Sequence, residues 1–248
     1  MLVAVYAVRM RRLVLFALLF APASLNAQTT VPFVGCPSDG QIGPLNPPHG
    51  KPKHVILSPP IVAKLAYYKA ENGNGILAPL GWQCFSTYGS NGTTLFIAPE
   101  QLNSGMFFSE KPHEFTGPVI QLSEMSGGTS GRFSVALSIA RLFPAHRDFA
   151  IRVRNERLGL DTPPRGPIPT DKLHYLSKET VEFLTPPNHA GEGTNSWLKE
   201  SALPITGVVM ITGSDTDCTT LAIRLPSGLA DLSSVITHQI EQEVSTAH

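Results

Sequence analysis

The chain has 248 residues, with 19 Lys and Arg against 19 Asp and Glu, and a mean hydropathy of +0.04. A nucleic-acid-binding domain would usually be basic with clustered charge, so this balance argues against that class. The low charged fraction (15%) and the 22 prolines indicate a folded domain with long ordered loops.

The first 27 residues are predicted to be an export signal. Three arginines between positions 9 and 12 precede the short apolar run Leu13–Ala21, and small residues ending at Ala27 offer a cleavage site. The run is shorter than the roughly 20 residues that cross a bilayer, and no later stretch is long and apolar enough. We therefore expect an exported chain, periplasmic or secreted, after cleavage near Ala27. Met10 is an alternative start.

The mature chain is predicted to consist of a Pro/Gly-rich arm, residues 28–59, and a single α+β domain, residues 60–248. The repeated prolines of the arm disfavour a regular helix or a central strand, so we expect it to run over the surface. Without the three arginines of the signal, 16 basic residues face 19 acidic ones.

The first predicted elements are a helix and a hairpin. From Pro60, the sequence IVAKLAYYK predicts a short helix with proline in its first turn. Trp82–Tyr88 and Thr93–Ala98, rich in aromatic and β-branched residues, flank a Gly-Ser-Asn-Gly turn and predict a hairpin. Pro118–Glu124 predicts a third strand.

The stretch Thr129–Phe143 is predicted to be the central core helix. Apolar residues follow helical spacing from Phe133, and other apolar residues fill the flanking face. A helix that is apolar nearly all round should be covered on most sides. Thr129 or Ser130 can cap its start, and Pro144 cannot continue it.

The second half of the chain continues with a helix, two strand pairs and a final helix. Strands joined mostly as hairpins indicate the α+β class, here a mostly antiparallel sheet packed against a buried central helix and a C-terminal amphipathic helix. The elements are a helix over about Arg147–Arg157, strands Leu173–Leu176 with Thr180–Thr185 and Leu203–Thr212 with Thr219–Leu225, and a helix from near Asp231 to Val244.

Three cysteines are left in the mature chain: Cys36, Cys84 and Cys218. Export to an oxidising compartment predicts one disulfide and one free thiol. We favour Cys36–Cys84, which would pin the arm and stabilise the fold by roughly 4 kcal/mol on the chain-entropy estimate. Cys84–Cys218 is the alternative. Neither a metal site nor a cofactor is expected, because the spacings typical of metal ligands are absent.

Five motifs are spread through the mature chain: GWQCFSTYGSNGTTLF, GGTSGRF, FPAHR, PTDKLHY and LPSGLADL. With them, the chain resembles a family of exported bacterial proteins that has no assigned activity. The likeness runs from Cys36 to the last predicted helix. It implies a bacterial, periplasmic protein and supplies no catalytic residues.

The glycine-rich stretch Gly127–Arg132 is a candidate site for an anion or carboxylate, because helix N-termini present free N–H groups. It lacks the spacing of a phosphate or dinucleotide loop, so a sharp turn into the helix is the favoured alternative. Arg132, His146 and Arg147 are candidate binding residues. The basic residues around them alternate with acids, which favours ion pairs on a solvated face.

Ser130, Ser196 and Lys199 are the candidate catalytic residues. Ser196 and Lys199 match the SxxK motif of serine acyl-enzymes, but the companion SDN and KTG motifs are absent. A GxSxG motif is also absent. A serine triad would draw on His146 or His189 and on Asp148 or Asp215.

Two further patterns are weaker. Asp215-Thr216-Asp217 could bind a hard cation, but an ordinary turn is favoured because the other ligands of a calcium loop are missing. Trp82, Tyr88 and Trp197 could line a sugar- or peptide-binding surface, although aromatic residues in strands are more often core.

These observations favour a non-enzymatic exported domain that binds a small anion, a carboxylate or a protein partner, or that associates with the cell envelope. The first alternative is a serine-dependent hydrolase with a nonstandard site at Ser130 or Ser196. The second is a periplasmic assembly or inhibitor protein that uses an exposed sheet edge.

Overall fold

The computed structural model describes residues 29–156, 166–213 and 216–246. The predicted export signal with its cleavage site near Ala27 lies outside the described residues, as do Arg157 and Asp215. The described residues form an α+β fold with a mostly antiparallel main sheet, which confirms the predicted class.

The described residues form thirteen strands and five α-helices. The strands are β1 (Thr29–Val31), β2 (Phe33–Gly35), β3 (Ser38–Gly40), β4 (Lys53–Val55), β5 (Leu65–Lys69), β6 (Ile76–Pro79), β7 (Gln83–Gly89), β8 (Gly92–Ala98), β9 (Val119–Met125), β10 (Lys172–Tyr175), β11 (Thr180–Thr185), β12 (Ile205–Thr212) and β13 (Asp217–Arg224). The helices are α1 (Pro59–Val62), α2 (Ser104–Phe108), α3 (Arg132–Leu142), α4 (Arg147–Asn155) and α5 (Leu232–Thr246).

The main sheet has eight strands in the order β10-β11-β12-β13-β9-β8-β7-β3. All its pairings are antiparallel except β3 with β7. The predicted hairpins are present, with bounds shifted by one or two residues. The pairing of β9 with β13, which sets Leu122 opposite Leu221, joins the two halves of the chain.

The Pro/Gly-rich arm contributes strands of three residues only. β3 is an edge strand of the main sheet, β2 is an edge strand of the sheet β2-β5-β6, and β1 pairs with β4. A proline-rich segment can supply short edge strands but not a central strand. A central strand is hydrogen-bonded to a neighbour on each side, and proline has no N–H to donate.

The helix predicted from Pro60 is wrong beyond Val62. Leu65–Lys69 is strand β5, the middle strand of its sheet, and its first four residues are at most 7% exposed. A strand buried on both faces is a continuous apolar run, and such a run cannot be distinguished from a buried helix by periodicity. Strand β6 and helix α2 were not predicted.

The main sheet is covered on both faces. One face packs against α5 and the β2-β5-β6 sheet, with Leu122 and Leu221 among the buried residues. The other face packs against α2, α3 and α4, with Phe96 and Val209 among the buried residues. Two cores therefore lie on either side of one sheet, and we call the second face the α3 face.

Helix α3 is buried along one side only. The expectation that it would be covered on most sides is therefore wrong. Val135 and Ile139 are 0% exposed and Leu142 is 1% exposed, whereas Leu137 is 42% exposed. The helix lies between the sheet and solvent beside α4, so residues opposite the sheet remain accessible. Gly131 occupies the N-cap position without a side-chain cap, so neither proposed capping residue fills that position.

Cys36 and Cys84 form a disulfide, with Cα atoms 5.3 Å apart, which confirms the favoured pairing. The bond links the arm to β7, and it fits an oxidising compartment. Cys218 is a buried free thiol. Within the described parts of the chain, no helix combines the length and the apolar character needed to span a bilayer.

Candidate functional site

The candidate catalytic residues do not form a nucleophile–base pair in the described structure. Ser130 is exposed, and its Oγ lies 3.0 Å from Ser90 Oγ. Ser196 is exposed in a non-helical segment, and Lys199 Nζ lies 3.2 Å from Glu114 Oε1. Neither candidate serine is hydrogen-bonded to a histidine or lysine among the described residues, so the geometry supplies no activated hydroxyl.

Arg132 and the pair His146 and Arg147 lie at opposite ends of α3. A helix rises about 1.5 Å per residue, so these ends are about 15 Å apart. Arg132 Nε donates to Glu156 Oε2 at 2.6 Å, and His146 Nε2 lies 3.4 Å from Glu179 Oε1. The structure therefore does not bring the three candidate binding residues into one site, and their separate roles stay predictions.

The glycine-rich stretch before α3 forms a close-packed turn. The Gly127 N–H donates to Asp217 Oδ1 at 2.9 Å, and the Gly131 N–H donates to Thr129 Oγ1 at 3.4 Å. A Cβ on Gly131 would collide with the carbonyl oxygen of Asn91. Glycine is needed here for close backbone approach, which supports the turn rather than an anion site.

Four neighbouring strands place a hydroxyl side chain at the same level of the α3 face. The register sets Thr87 opposite Thr94, Thr94 opposite Ser123, and Ser123 opposite Thr220. Residues directly opposite one another share a face, and Thr94 Oγ1 lies 3.2 Å from Ser123 Oγ. These four residues, which we call the hydroxyl row, form a polar strip in a largely apolar surface.

A cavity of about 170 Å³ opens above the Thr87 end of the hydroxyl row. Phe107 and Phe108 of α2 line it together with Trp197, and the ring centroids of Phe107 and Trp197 are 5.3 Å apart. Phe108 is 56% exposed, so one aromatic ring is open to solvent. We call this cavity, with its hydroxyl floor and aromatic wall, the aromatic cleft.

Two of the three aromatic residues singled out in the sequence line this cleft. Trp197 forms part of its wall. Tyr88 also lines it, but its hydroxyl donates to the carbonyl oxygen of Gly43 in the arm. Trp82 packs against the core on the opposite face of the main sheet. The structure therefore brings Tyr88 and Trp197 together and leaves Trp82 apart.

A chain of hydrogen bonds connects the hydroxyl row to the aromatic wall. Gln121 Nε2 donates to Ser123 Oγ at 2.9 Å, and Asn195 Nδ2 donates to Gln121 Oε1 at 3.1 Å. Asn195 Oδ1 then accepts the backbone N–H of Trp197 at 2.8 Å. Floor and wall are thus fixed relative to each other by paired polar groups.

Arg224, the last residue of β13, holds the segment that carries the aromatic wall. It is 0% exposed, and Nη1 donates to the carbonyl oxygens of Phe115 at 2.9 Å and Gly117 at 3.3 Å. Nη2 donates to the carbonyl oxygen of Lys199. Burial lowers the pKa of the Arg224 guanidinium. The three carbonyls compensate the buried charge and tie together segments that are distant in sequence.

Polar groups in the cleft are left without protein partners. Thr87 Oγ1 and Trp197 Nε1 make no hydrogen bond to other described residues, and the exposed side chain of Asn91 lies at the same cavity. Thr94 Oγ1 has capacity beyond its bond to Ser123, since a hydroxyl offers one donor and two acceptor positions. The cleft therefore presents free donors and acceptors beside aromatic faces.

Glu192 belongs to a separate buried polar cluster. Its side chain is 8% exposed, and Oε2 lies 3.8 Å from Arg141 Nη1 without a hydrogen-bond donor. Burial raises the pKa of Glu192, Arg141 opposes this effect, and the nearby charge of Asp171 adds to it. The backbone N–H of Glu192 donates to Asp171 Oδ2 at 2.7 Å.

Glu192→Gln is expected to stabilise the protein at pH 8 and to leave its stability unchanged near pH 4. The folded protein holds the Glu192 proton more tightly than the unfolded chain does. The wild type therefore loses stability as pH rises from the ordinary pKa of 4.5 through the raised value. Thermal denaturation across this range measures the effect. Glu200→Gln, at an exposed position, is the control; a lower Tm for Glu192→Gln at pH 8 would contradict the expectation.

The sequence contained part of the signal for the cleft. In the predicted hairpin, the turn after Tyr88 already sets Thr87 opposite Thr94, so two members of the hydroxyl row were accessible to pattern reasoning. Ser123 and Thr220 become neighbours only through the long-range pairing of β9 with β13. Phe107 and Phe108 lie on a helix of five residues, which is too short for periodicity to reveal.

Comparisons of the chain with protein-family models, with curated proteins and with solved structures return no match.

Proposed function

We propose that the chain is an exported, non-enzymatic binding domain of the bacterial cell envelope, and that it binds a small neutral ligand in the aromatic cleft. One observation carries the proposal. The free Thr87 hydroxyl and the free Trp197 indole N–H line a single cavity beside the exposed ring of Phe108. Both side chains are half-buried, so a ligand that enters the cavity can pair with these two groups in place of water.

The residues of the cleft are held in place by paired strands and by hydrogen bonds, which supports a role in ligand binding. Its floor belongs to strands β7 and β8, each of which is paired on both sides, and its wall is held through Asn195 and Arg224. A site whose side chains are already fixed loses less conformational entropy when a ligand enters.

The envelope location rests on three supports. The sequence before residue 28 has the pattern of an export signal. The Cys36–Cys84 disulfide fits an oxidising compartment. The resemblance to exported bacterial proteins points to the periplasm.

The hydrolase alternative is tested by covalent labelling. The purified mature protein is incubated with a fluorophosphonate and with a fluorescent penicillin and is then analysed by peptide mapping. We expect no labelling of Ser130 or Ser196, because neither hydroxyl has a base beside it. Stoichiometric labelling of either serine would favour a serine-dependent hydrolase.

Binding in the cleft is tested by the fluorescence of Trp197. The chain has two tryptophans, so Trp82→Phe leaves Trp197 as the sole reporter. Three neutral probes are titrated: a methyl glucopyranoside, a tripeptide acetylated and amidated at its ends, and 1-hexanol. We expect at least one saturable change in emission, weakened at least fivefold by Phe108→Ala.

Leu80→Ala is the matched control, because Leu80 is 51% exposed and does not line the cleft. It should leave the titration unchanged. Absence of a saturable response to all three probes at 50 mM would contradict the proposed binding function.

A further inference from the structure

We infer that the ligand of the aromatic cleft is a neutral saccharide, of which one pyranose ring enters the cavity and stacks on the aromatic wall. The inference rests on the proposed binding function and adds the chemical class of the ligand. Four features of the cavity support this ligand: its size, its uncharged lining, its paired floor and the free polar groups along it.

The size of the cavity limits the inserted group to one ring. Its volume of about 170 Å³ is below the 300–1,000 Å³ typical of sites that enclose a drug-sized molecule. At roughly 30 Å³ per water, it corresponds to about six waters, the space of one six-membered ring with its substituents. The remainder of a longer ligand would lie outside, toward the exposed ring of Phe108.

The lining of the cavity carries no charged side chain among the described residues. A carboxylate or phosphate placed here would be partly desolvated without an opposite charge, which is strongly unfavourable. A neutral ligand avoids this cost. The cleft therefore differs from the anion site that the glycine-rich stretch suggested in the sequence.

The floor does not suit an extended peptide. Thr87 and Thr94 lie on paired neighbouring strands, and β8 is also paired with β9 on its other side. The backbone groups of this interior part of the sheet are therefore already hydrogen-bonded. A peptide that binds as an added strand needs a free sheet edge, which this floor does not offer.

The free polar groups do not suit an acyl chain. A hydrocarbon over the floor would bury the Thr87 hydroxyl and the Trp197 indole N–H without partners, and each such group costs free energy. A saccharide supplies several hydroxyls that can donate or accept at these positions. Its C–H face can pack on the rings of Trp197 and Phe108, so both halves of the cleft are used.

The test is a titration by NMR, with methyl glucopyranoside, methyl galactopyranoside and N-acetylglucosamine as probes. A single ring has about 12 non-hydrogen atoms, for which a Kd on the order of 1 mM is expected. We expect chemical-shift changes centred on Thr87, Asn91, Phe108 and Trp197. Thr87→Val and Phe108→Ala should each weaken binding at least fivefold without a change in Tm.

Two variants serve as matched controls. Thr180→Val removes a half-buried strand hydroxyl outside the cleft, and Leu80→Ala removes an exposed apolar side chain. Both should leave the Kd unchanged. Saccharide binding that persists in Thr87→Val and Phe108→Ala would overturn the inference, because the site would then lie elsewhere.

The tripeptide and 1-hexanol separate this inference from the proposed function. If either binds in the cleft and no saccharide does up to 50 mM, the saccharide assignment is overturned while the binding function stands. If no probe of any class binds, both the saccharide assignment and the proposed binding function are contradicted.

Discussion

Ile139→Asp is expected to abolish folding of the mature protein. Ile139 is 0% exposed on the side of α3 that faces the main sheet, and it belongs to the apolar core of the α3 face. An unpaired carboxylate there would cost roughly 4 kcal/mol or more, a large part of the roughly 5–15 kcal/mol that stabilises a typical domain. Far-UV circular dichroism and urea denaturation of the purified variant measure the loss.

Leu137→Asp is the matched control, because it makes the same type of change two residues earlier in the same helix. Leu137 is 42% exposed, so its carboxylate can remain hydrated. The free energy of unfolding should change by no more than about 1 kcal/mol. If both variants melt like the wild type, the assignment of the buried side of α3 is wrong.

Arg224→Met is expected to destabilise the protein by about 3–5 kcal/mol. Methionine fills much of the same volume but leaves the carbonyl oxygens of Phe115, Gly117 and Lys199 without the guanidinium that now donates to them. The midpoint of urea denaturation should fall with little change in slope, since the packed area is largely retained.

Two further substitutions make the Arg224 result specific. Arg224→Lys keeps the charge but cannot reach three carbonyls with a planar fork, so an intermediate loss is expected. Arg152→Met removes an exposed arginine and should be nearly neutral. A loss of less than 1 kcal/mol in Arg224→Met would show that the three hydrogen bonds do not stabilise the fold.

The fluorescence emission of Trp197 should also shift in Arg224→Met, because the segment that carries Trp197 loses its hydrogen bond to Arg224.

Local pairing explains which parts of the fold could be predicted. The β7–β8 hairpin is specified by a two-residue turn and by side chains that alternate between two buried faces, all within the 16 residues from Gln83 to Ala98. The prediction of a helix over β5 was wrong, because four consecutive buried residues show neither helical nor strand periodicity. Composition indicated that the arm holds no regular helix or central strand, but it did not predict the short strands β1 to β4 that the arm contributes.

The candidate site was only partly predictable for a related reason. Trp197 and Tyr88 could be singled out as large aromatic residues, but nothing near them in the sequence shows that Phe107 and Phe108 complete the wall. The role of Arg224 was invisible, because its three acceptors are backbone carbonyls, which leave no side-chain pattern. Contacts of this kind depend on topology rather than on local sequence.

The pairing of β9 with β13 has a consequence for how the protein matures. The two strands are about 100 residues apart, so a long loop must close before they meet, and folds dominated by such contacts form slowly. Arg224 arrives with β13, and its hydrogen bonds to the carbonyl oxygens of Phe115 and Lys199 form only from that moment. A chain that has formed only its hairpins therefore lacks the finished cleft, and completion of the cleft depends on the closure of this long loop.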